Sequence, residues 1–446
     1  MEHTNEFDTF DTTDVIETDV LVIGGGSSGT YTAVRLHDKG KKVLIIEKQS
    51  TLGGHAKTYT DPSTGQTVDL GVIVFSQSKT VTDYFSRFDV PLVPIPSVRP
   101  DVTYVDFSTG KISDFEPPKA EAVGQAVASY VAQLQKYPVI QECFGLTYPV
   151  PPDLLLPFGE FVAKHGLEAM VPHVFLSNQG YVPLLEISTL YLLKYFNLEQ
   201  VGSWQNGYLM TARQNVQELY QKAMGFLGSE NVLLDSVVIA MDRSNPGSVK
   251  VIVNTPSGRK LVVAKKIVST VPPLLQSLSG YDLSDEETSL FSQFRANGYY
   301  TALLKNTGIG KMLINSAVDQ PYHVPKLPGI YSIRTDQGFA HVYYGSPEAM
   351  SEDDVKADII AHIRRFQKVN GIQTDGEPEW VAFANNAPFN LMVSNEVIQD
   401  GFYEKLAALQ GKRNTFYNGA AFHTQDSSVL WRFTDDCILP MLLGSL

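Results

Sequence analysis

The sequence has little cysteine, a deficit of positive charge and no long apolar run. Only two cysteines, Cys143 and Cys437, occur in 446 residues. They lie far apart in the chain, so neither a disulfide framework nor a metal-ligand cluster is expected, and no metal. With so few thiols, a reducing intracellular compartment, the cytoplasm, is the expected location. Lys and Arg number 35 against 48 Asp and Glu, a formal net charge of −13. A nucleic-acid backbone or an anionic membrane surface would be repelled, so neither is expected as a partner. No stretch approaches the roughly 20 consecutive apolar residues that span a bilayer, which predicts a soluble protein without a membrane span. Residues 1–18 have no basic n-region and no apolar h-region, so they read as a short mobile leader rather than a secretory signal.

What is present is the composition of a globular protein, with 43% apolar and 19% charged residues. Glycine and proline are spread along the chain, which excludes collagen-like and globally disordered readings. The length exceeds one compact core and predicts two or three domains.

The first ordered segment, Asp19-Val-Leu-Val-Ile-Gly24, is a β-branched apolar run suited to a parallel strand buried on both faces. Gly24-Gly25-Gly26-Ser27-Ser28-Gly29 follows and satisfies G-x-G-x-x-G. A helical pattern then runs to Gly40, and a second strand over residues 42–47 ends in Glu47. Each part has a chemical reason. Gly24 permits the tight turn, Gly26 lets the backbone approach a pyrophosphate, and Gly29 lets helix and strand pack closely, with the diphosphate facing the helix amides. An acid at the end of the second strand suits ribose hydroxyls.

Immediately afterwards come Leu52-Gly53-Gly54-His55-Ala56-Lys57-Thr58 and Val68-Asp69-Leu70-Gly71-Val72-Ile73-Val74-Phe75. Here the chain resembles the flavin-containing amine oxidase superfamily, in which a leucine-glycine-glycine-arginine segment follows the acid and a later acid-x-Gly segment passes along the flavin ring. His55 stands where arginine is commoner. The resemblance implies non-covalent FAD, with Lys48, Gly53, Gly54, His55, Gly71, Val72, Ile73 and Val74 joining Gly24, Gly26, Ser28, Gly29 and Glu47 around the cofactor. Neither cysteine falls in the family's covalent linkage motif.

Such a cofactor domain is discontinuous, and matching pieces recur downstream. Trp204-Gln-Asn-Gly207 with the amphipathic run 211–227 resembles the family's glycine-then-helix entry. Residues 231–238, 249–253 and 261–263 read as three antiparallel strands, and the resemblance places backbone at Val238 against the adenine. Arg413-Asn-Thr-Phe-Tyr-Asn-Gly419 and a predicted helix from Ser427 through Cys437 resemble the family's last piece, which brings Gly419, Ser428 and Val429 to the flavin. The resemblance covers the whole chain. It is nearest to two branches, the fungal FAD enzymes similar to β-cyclopiazonate dehydrogenase and the bacterial polyunsaturated fatty acid double-bond isomerases, and the two are not separated here.

The expected fold class is α/β, with a discontinuous FAD-binding domain of Rossmann type, an inserted mixed α+β substrate domain and a helical cap. The expected boundaries are 15–100, 204–275 and 401–446 for the FAD domain, 101–203 for the cap and 276–400 for the substrate domain. Helices expected at 119–136, 155–165, 183–196 and 348–369 would cap a pocket lined by Tyr181, Tyr191, Tyr195, Phe196, Phe389 and Phe402.

No catalytic residue is assigned. The candidates are Arg99, placed like the isomerases' carboxylate-facing arginine, His423, a proton carrier if it titrates near neutrality, and Tyr195. The lysine that many amine oxidases hold after the Val-Pro-Pro strand is missing from residues 274–283, and Val429 occupies the C-terminal position for a cage aromatic, so simple amine oxidation is disfavoured. The leading expectation is an FAD-dependent oxidoreductase of secondary metabolism that takes a hydride from a C–H bond of a small lipophilic substrate, by dehydrogenation or oxidative cyclisation, and passes electrons to oxygen or another acceptor. The alternatives are a redox-neutral fatty acid double-bond isomerase and a non-catalytic FAD-binding protein.

Overall fold

The computed structural model describes residues 6–95 and 101–446. Two seven-stranded sheets organise it. The first is built around Val15–Ile23, whose residues Val20, Leu21 and Val22 are fully buried, as an apolar β-branched run in a parallel sheet requires. It lies parallel to Val43–Ile46 on one side and to Gly258–Ser269 on the other. Val232–Leu233 extends the sheet beyond Val43–Ile46, and Val249–Thr255 with Val237–Asp242 adds an antiparallel edge. Thr415–Tyr417 pairs parallel to the end of Gly258–Ser269. Strands from three distant stretches thus form one sheet.

The helix Ser27–Asp38 packs on this sheet through Ala33, Val34 and Leu36, all fully buried. The second sheet holds Glu379–Asn385, Gly298–Lys305, Phe339–Ser346, Gly329–Asp336, Met312–Asn315, Val102–Asp106 and Lys111–Ile112 in that order, antiparallel except where Met312–Asn315 meets Val102–Asp106. The helix Glu352–Asn370 covers it with Val355, Ile359, Ile363 and Phe366, a stripe at helical spacing. Between Lys111–Ile112 and Leu209–Thr211, where the cap is expected, the regular elements are all helical. This is the expected α/β architecture.

Several local expectations are corrected. Cys143 and Cys437 form a disulfide with Cα atoms 5.9 Å apart, because the fold brings the 142–145 turn against the C-terminal helical segment. Of the presumed mobile leader, Val15 to Thr18 belong to the first strand and pair with Leu261 to Ala264, while Asp14 meets Lys260 at 2.6 Å and Glu6 meets Arg259 at 2.7 Å. The expected helix at 183–196 begins only at Thr189. Its earlier part lies against Leu156 to Gly159, where Phe158 and Gly159 donate to the carbonyls of Ile187 and Leu185. The expected helix at 155–165 is two, Pro152–Leu155 and Phe158–His165, since Pro157 holds Leu156 extended. The single strand expected over 231–238 breaks at Asp235, which turns with a φ of 49°. The C-terminal helix is α-helical over Ser427–Phe433 and widens into a π-turn over Thr434–Ile438.

Candidate functional site

The site begins where the first strand turns into the helix Ser27–Asp38. Gly24 takes a φ of 97°, in the left-handed region that favours glycine. A Cβ at Gly29 would stand 1.8 Å from the Gly24 carbonyl oxygen, so strand and helix meet only because that position is bare. Gly53 donates its amide to Gly25 at 2.8 Å, and a Cβ on Gly54 would come within 3.0 Å of the Gly26 Cα. Two glycine segments therefore face one another at the helix N-terminus. Gly26 caps that helix without a side-chain bond and its first turn carries no acid, so the N-terminal partial charge and amides face a cradle of bare backbone. The Ser27 hydroxyl donates to Ser427 at 2.9 Å and accepts from Trp431 Nε1 at 3.0 Å, which brings the two helix N-termini side by side.

Glu47 ends the second strand as expected. Its carboxylate is buried and accepts from the amides of Gly25 at 2.7 Å and Gln49 at 2.8 Å. Ser236 donates to the Glu47 carbonyl, which puts Val238 at the same end of the sheet. Lys48 is exposed beside it.

Gly71 lies against residues 55–57, where a Cβ would be 1.7 Å from the His55 carbonyl oxygen. Val72 donates to that same oxygen, Ile73 is half-buried, and Val74 is exposed. The His55 ring stacks on Phe389 at 5.7 Å, and Phe389 packs on Tyr299 at 4.9 Å. Burial, helped by Lys57 and Lys48, pushes His55 down to about 4, so it is a neutral ring at pH 7. Tyr195 packs on Tyr181 at 4.9 Å, and the Tyr181 hydroxyl pairs with Thr424 at 3.1 Å. Gly419 and Ser428 lie on the same C-terminal stretch, and Val429 donates to Asp426 at 2.9 Å. The structure thus brings residues 53–55, 71–74, 389 and 419–429 together with the glycine loop.

Other expectations fail. Tyr191, Phe196 and Phe402 are buried in the main hydrophobic core, where the Tyr191 hydroxyl donates to the Val393 carbonyl and accepts from Tyr403. His423 is not a neutral-pH proton carrier. It is 1% exposed, donates from Nε2 to the Glu142 carbonyl, and is pushed down to about 3 by burial and then by Lys194. Arg99 lies outside the described residues.

The structure also singles out three acids: Asp69, which the sequence showed only as the acid of the acid-x-Gly segment, and Asp426 and Glu199, which sequence reasoning passed over. Asp69 accepts from Val216 at 2.8 Å and Thr58 at 2.6 Å, anchoring the start of Gln217–Leu227, and burial raises it to about 6. Asp426 caps the helix Ser427–Phe433 and accepts from Gln200 at 2.5 Å; burial raises its pKa. The Ser428 hydroxyl lies 2.6 Å from Glu199 and 2.5 Å from Asp426. Burial alone would raise Glu199, but Ser428, Ser76 and Arg432 bring it below the usual carboxylate range. Asp426-Ser-Ser is an N-cap signature that could have pointed to Asp426.

The bare double-glycine cradle, the uncapped helix and the terminal acid fit the diphosphate and ribose of a dinucleotide, and the neutral aromatic wall at His55 and Phe389 fits a flat ring. Residues 22–88 match a family model described as an NAD(P)-binding Rossmann-like domain. The chain is 41% identical over 97% of its length to FAD-dependent oxidoreductase oblC of Cochliobolus heterostrophus, covering 92% of that protein. It is 34% identical to β-cyclopiazonate dehydrogenase of Aspergillus oryzae, with 96% of this chain and 94% of that protein covered. Among solved structures it resembles a CLA-producing fatty acid isomerase from P. acnes, with a TM-score of 0.76 at 20% identity over 95% of this chain and 98% of that one. Cyclohexylamine oxidase from Brevibacterium oxydans aligns with a TM-score of 0.65 at 16% identity, over 96% and 99%. The chain belongs to the family of FAD-dependent oxidoreductases that includes β-cyclopiazonate dehydrogenase, flavin enzymes with FAD as cofactor on the amine oxidase fold.

Proposed function

We propose that this enzyme oxidises a lipophilic small molecule of secondary-metabolite type by removing a hydride from one of its C–H bonds, after which the cation left behind loses a proton to solvent, directly or after intramolecular capture, giving a desaturated or cyclised product two hydrogens lighter. The observation that carries the reading is the uncharged aromatic wall formed by His55, Phe389 and Tyr299 where the glycine segments, the cap and the C-terminal stretch converge. FAD, when bound, supplies the two-electron acceptor and hands the electrons to oxygen or another acceptor.

The chain's own residues hold, orient and shield. Gly24, Gly26, Ser28, Gly29, Gly53 and Gly54 would hold the diphosphate, Glu47 the ribose, and Lys48 and Val238 the adenosine end. Gly71, Val72, Ile73, Val74, Gly419, Ser428 and Val429 would hold the ring, with His55 beside them. In this reading residues 15–100, 204–275 and 401–446 form the cofactor part, and 101–203 with 276–400 the substrate side. Positioning against the aromatic wall does most of the catalytic work, since hydride loss needs no base.

The test is product mass across a panel of indoles, amines, unsaturated acids and neutral lipophiles. A product two hydrogens lighter than its substrate supports the reading. A product of unchanged mass supports a redox-neutral double-bond shift and contradicts it.

A further inference from the structure

A cavity of about 600 Å³ lies between the cap helices Ala120–Leu134, Val171–Ser177 and Leu198–Asn206 and the second sheet's strands Val102–Asp106 and Met312–Asn315. Its size falls in the range of small-molecule sites. Among the described residues no Asp, Glu, Lys or Arg lines it; the walls are carried by side chains such as Phe115, Val123, Phe175, Leu176 and Trp204. His173 lies flat on Trp204 at 3.7 Å and burial pushes it down to about 3, so this wall too is neutral.

The polar equipment is sparse. Ser316 is 3% exposed, and its hydroxyl has no hydrogen-bond partner among the described residues; the same holds for His323 Nδ1, and both residues line the cavity. Buried polar groups are normally satisfied, so these two, in residues of the cavity wall, are the groups that a ligand oxygen would complete once the side chains rotate toward it. Tyr322 and His323 hold φ values of 53° and 57°. Two adjacent non-glycine residues in the left-handed region are costly and persist where the surroundings require them.

Packed side chains join the cavity wall to the cofactor segments. Phe175 packs on Tyr331 at 4.9 Å, and the Tyr331 hydroxyl accepts from Gly180 at 3.0 Å. Gly180 lies so close to Phe389 that a Cβ would come within 2.3 Å of its ring, and Phe389 stacks on His55.

We infer that this cavity is the recognition site for the substrate, and that the substrate class is a neutral, largely apolar molecule bearing a hydroxyl or carbonyl oxygen that bonds to Ser316 and His323. This rests on the oxidation of a lipophilic substrate proposed above and narrows it. A carboxylate or an ammonium ion would be buried there without a counter-charge, which disfavours both.

Three probes with one ring system separate these classes: 1-pyrenemethanol, 1-pyrenecarboxylate and 1-pyrenemethylamine, each titrated into the FAD-loaded full-length protein and followed by fluorescence anisotropy. The alcohol is expected to bind at least about tenfold more tightly than either ion. Val123→Arg, which places a guanidinium in the wall, is expected to lower alcohol affinity and move the preference to the carboxylate. Ser316→Ala is expected to weaken the alcohol several-fold without improving either ion. Equal binding of all three, tighter binding of either ion by the unaltered protein, or a preference unmoved by both substitutions overturns the inference. Binding is read without any flavin signal. Alcohol binding in this pattern combined with product of unchanged mass therefore overturns the oxidation reading alone, and hydrogen loss from substrate without such binding overturns the cavity alone.

Discussion

His423 donates to the Glu142 carbonyl through Nε2 and keeps Nδ1 buried without a partner among the described residues, so the folded protein holds it neutral. Its pKa is lowered to about 3 when folded, against about 6.5 in an unfolded chain. Between those values the unfolded state binds the extra proton, so this group's contribution is complete above about pH 6.5 and is lost as pH falls through about 3. At pH 5 the loss is about 2 kcal/mol. His423→Gln, which keeps a donor for Glu142, is expected to reduce the steepness of unfolding free energy against pH by up to about one proton between pH 4 and 6. An unaltered slope would mean that His423 is solvated.

Glu47 is the residue on which the cofactor assignment is most exposed. Its two carboxylate oxygens already accept two amides, and Glu47→Gln would turn an N–H toward one of them. FAD affinity is expected to fall about tenfold or more, the size of a lost charge-assisted bond; retention of FAD through desalting equal to that of the unaltered protein would contradict the ribose assignment. Glu47 was legible in the sequence because it ends a strand at a fixed distance from the glycine loop. Asp426 and Glu199 were not, because their partners Gln200 and Ser76 come from other elements and no local spacing encodes such contacts.

Between elements, Arg243 makes the densest charged junction. Its side chain is fully buried and bonds Asp282 at 2.7 Å and Glu287 at 2.8 and 2.9 Å, with the Tyr417 hydroxyl donating to Glu287 as well. The strand Val237–Asp242, the helix Asp285–Phe291 and the strand Thr415–Tyr417 are locked there. Arg243→Met leaves the buried Glu287 with only Arg413, 3.5 Å away, as counter-charge and is expected to cost about 3 kcal/mol in urea unfolding. A cost under about 1 kcal/mol would show the junction to be hydrated. The disulfide ties the 142–145 turn to the C-terminal segment across a separation of 294 residues. Cys143→Ser is expected to lower stability by about 2–4 kcal/mol, and an unchanged midpoint would show the bond to be dispensable. Elements with a clean period, such as Ser27–Asp38 and Glu352–Asn370, were readable from their apolar stripes. The 183–188 stretch was not, because it closes only a local turn, with Glu186 and Ile187 donating to the Pro183 carbonyl, while the Leu185 and Ile187 carbonyls accept from Gly159 and Phe158 instead of from a following helical turn.

On the scale of the whole molecule, the first sheet draws on residues 15–46, 232–269 and 415–417. The βα unit at its centre was legible locally, but the convergence of its distant pieces with Phe389 and the cap was carried by family resemblance alone. A chain ending at residue 410 loses Thr415–Tyr417, Gly419 and the helix Ser427–Phe433, and is expected to hold no FAD; retention of the visible flavin spectrum would contradict a cofactor site shared among separated stretches. The measurement that bears most directly on the enzyme as a whole is anaerobic mixing of the FAD-loaded protein with a neutral, oxygenated lipophile that binds it. The account predicts lasting bleaching of the flavin absorbance, reversed on admitting oxygen, with one oxidised product per flavin. Product formed under the same conditions without lasting bleaching would contradict it.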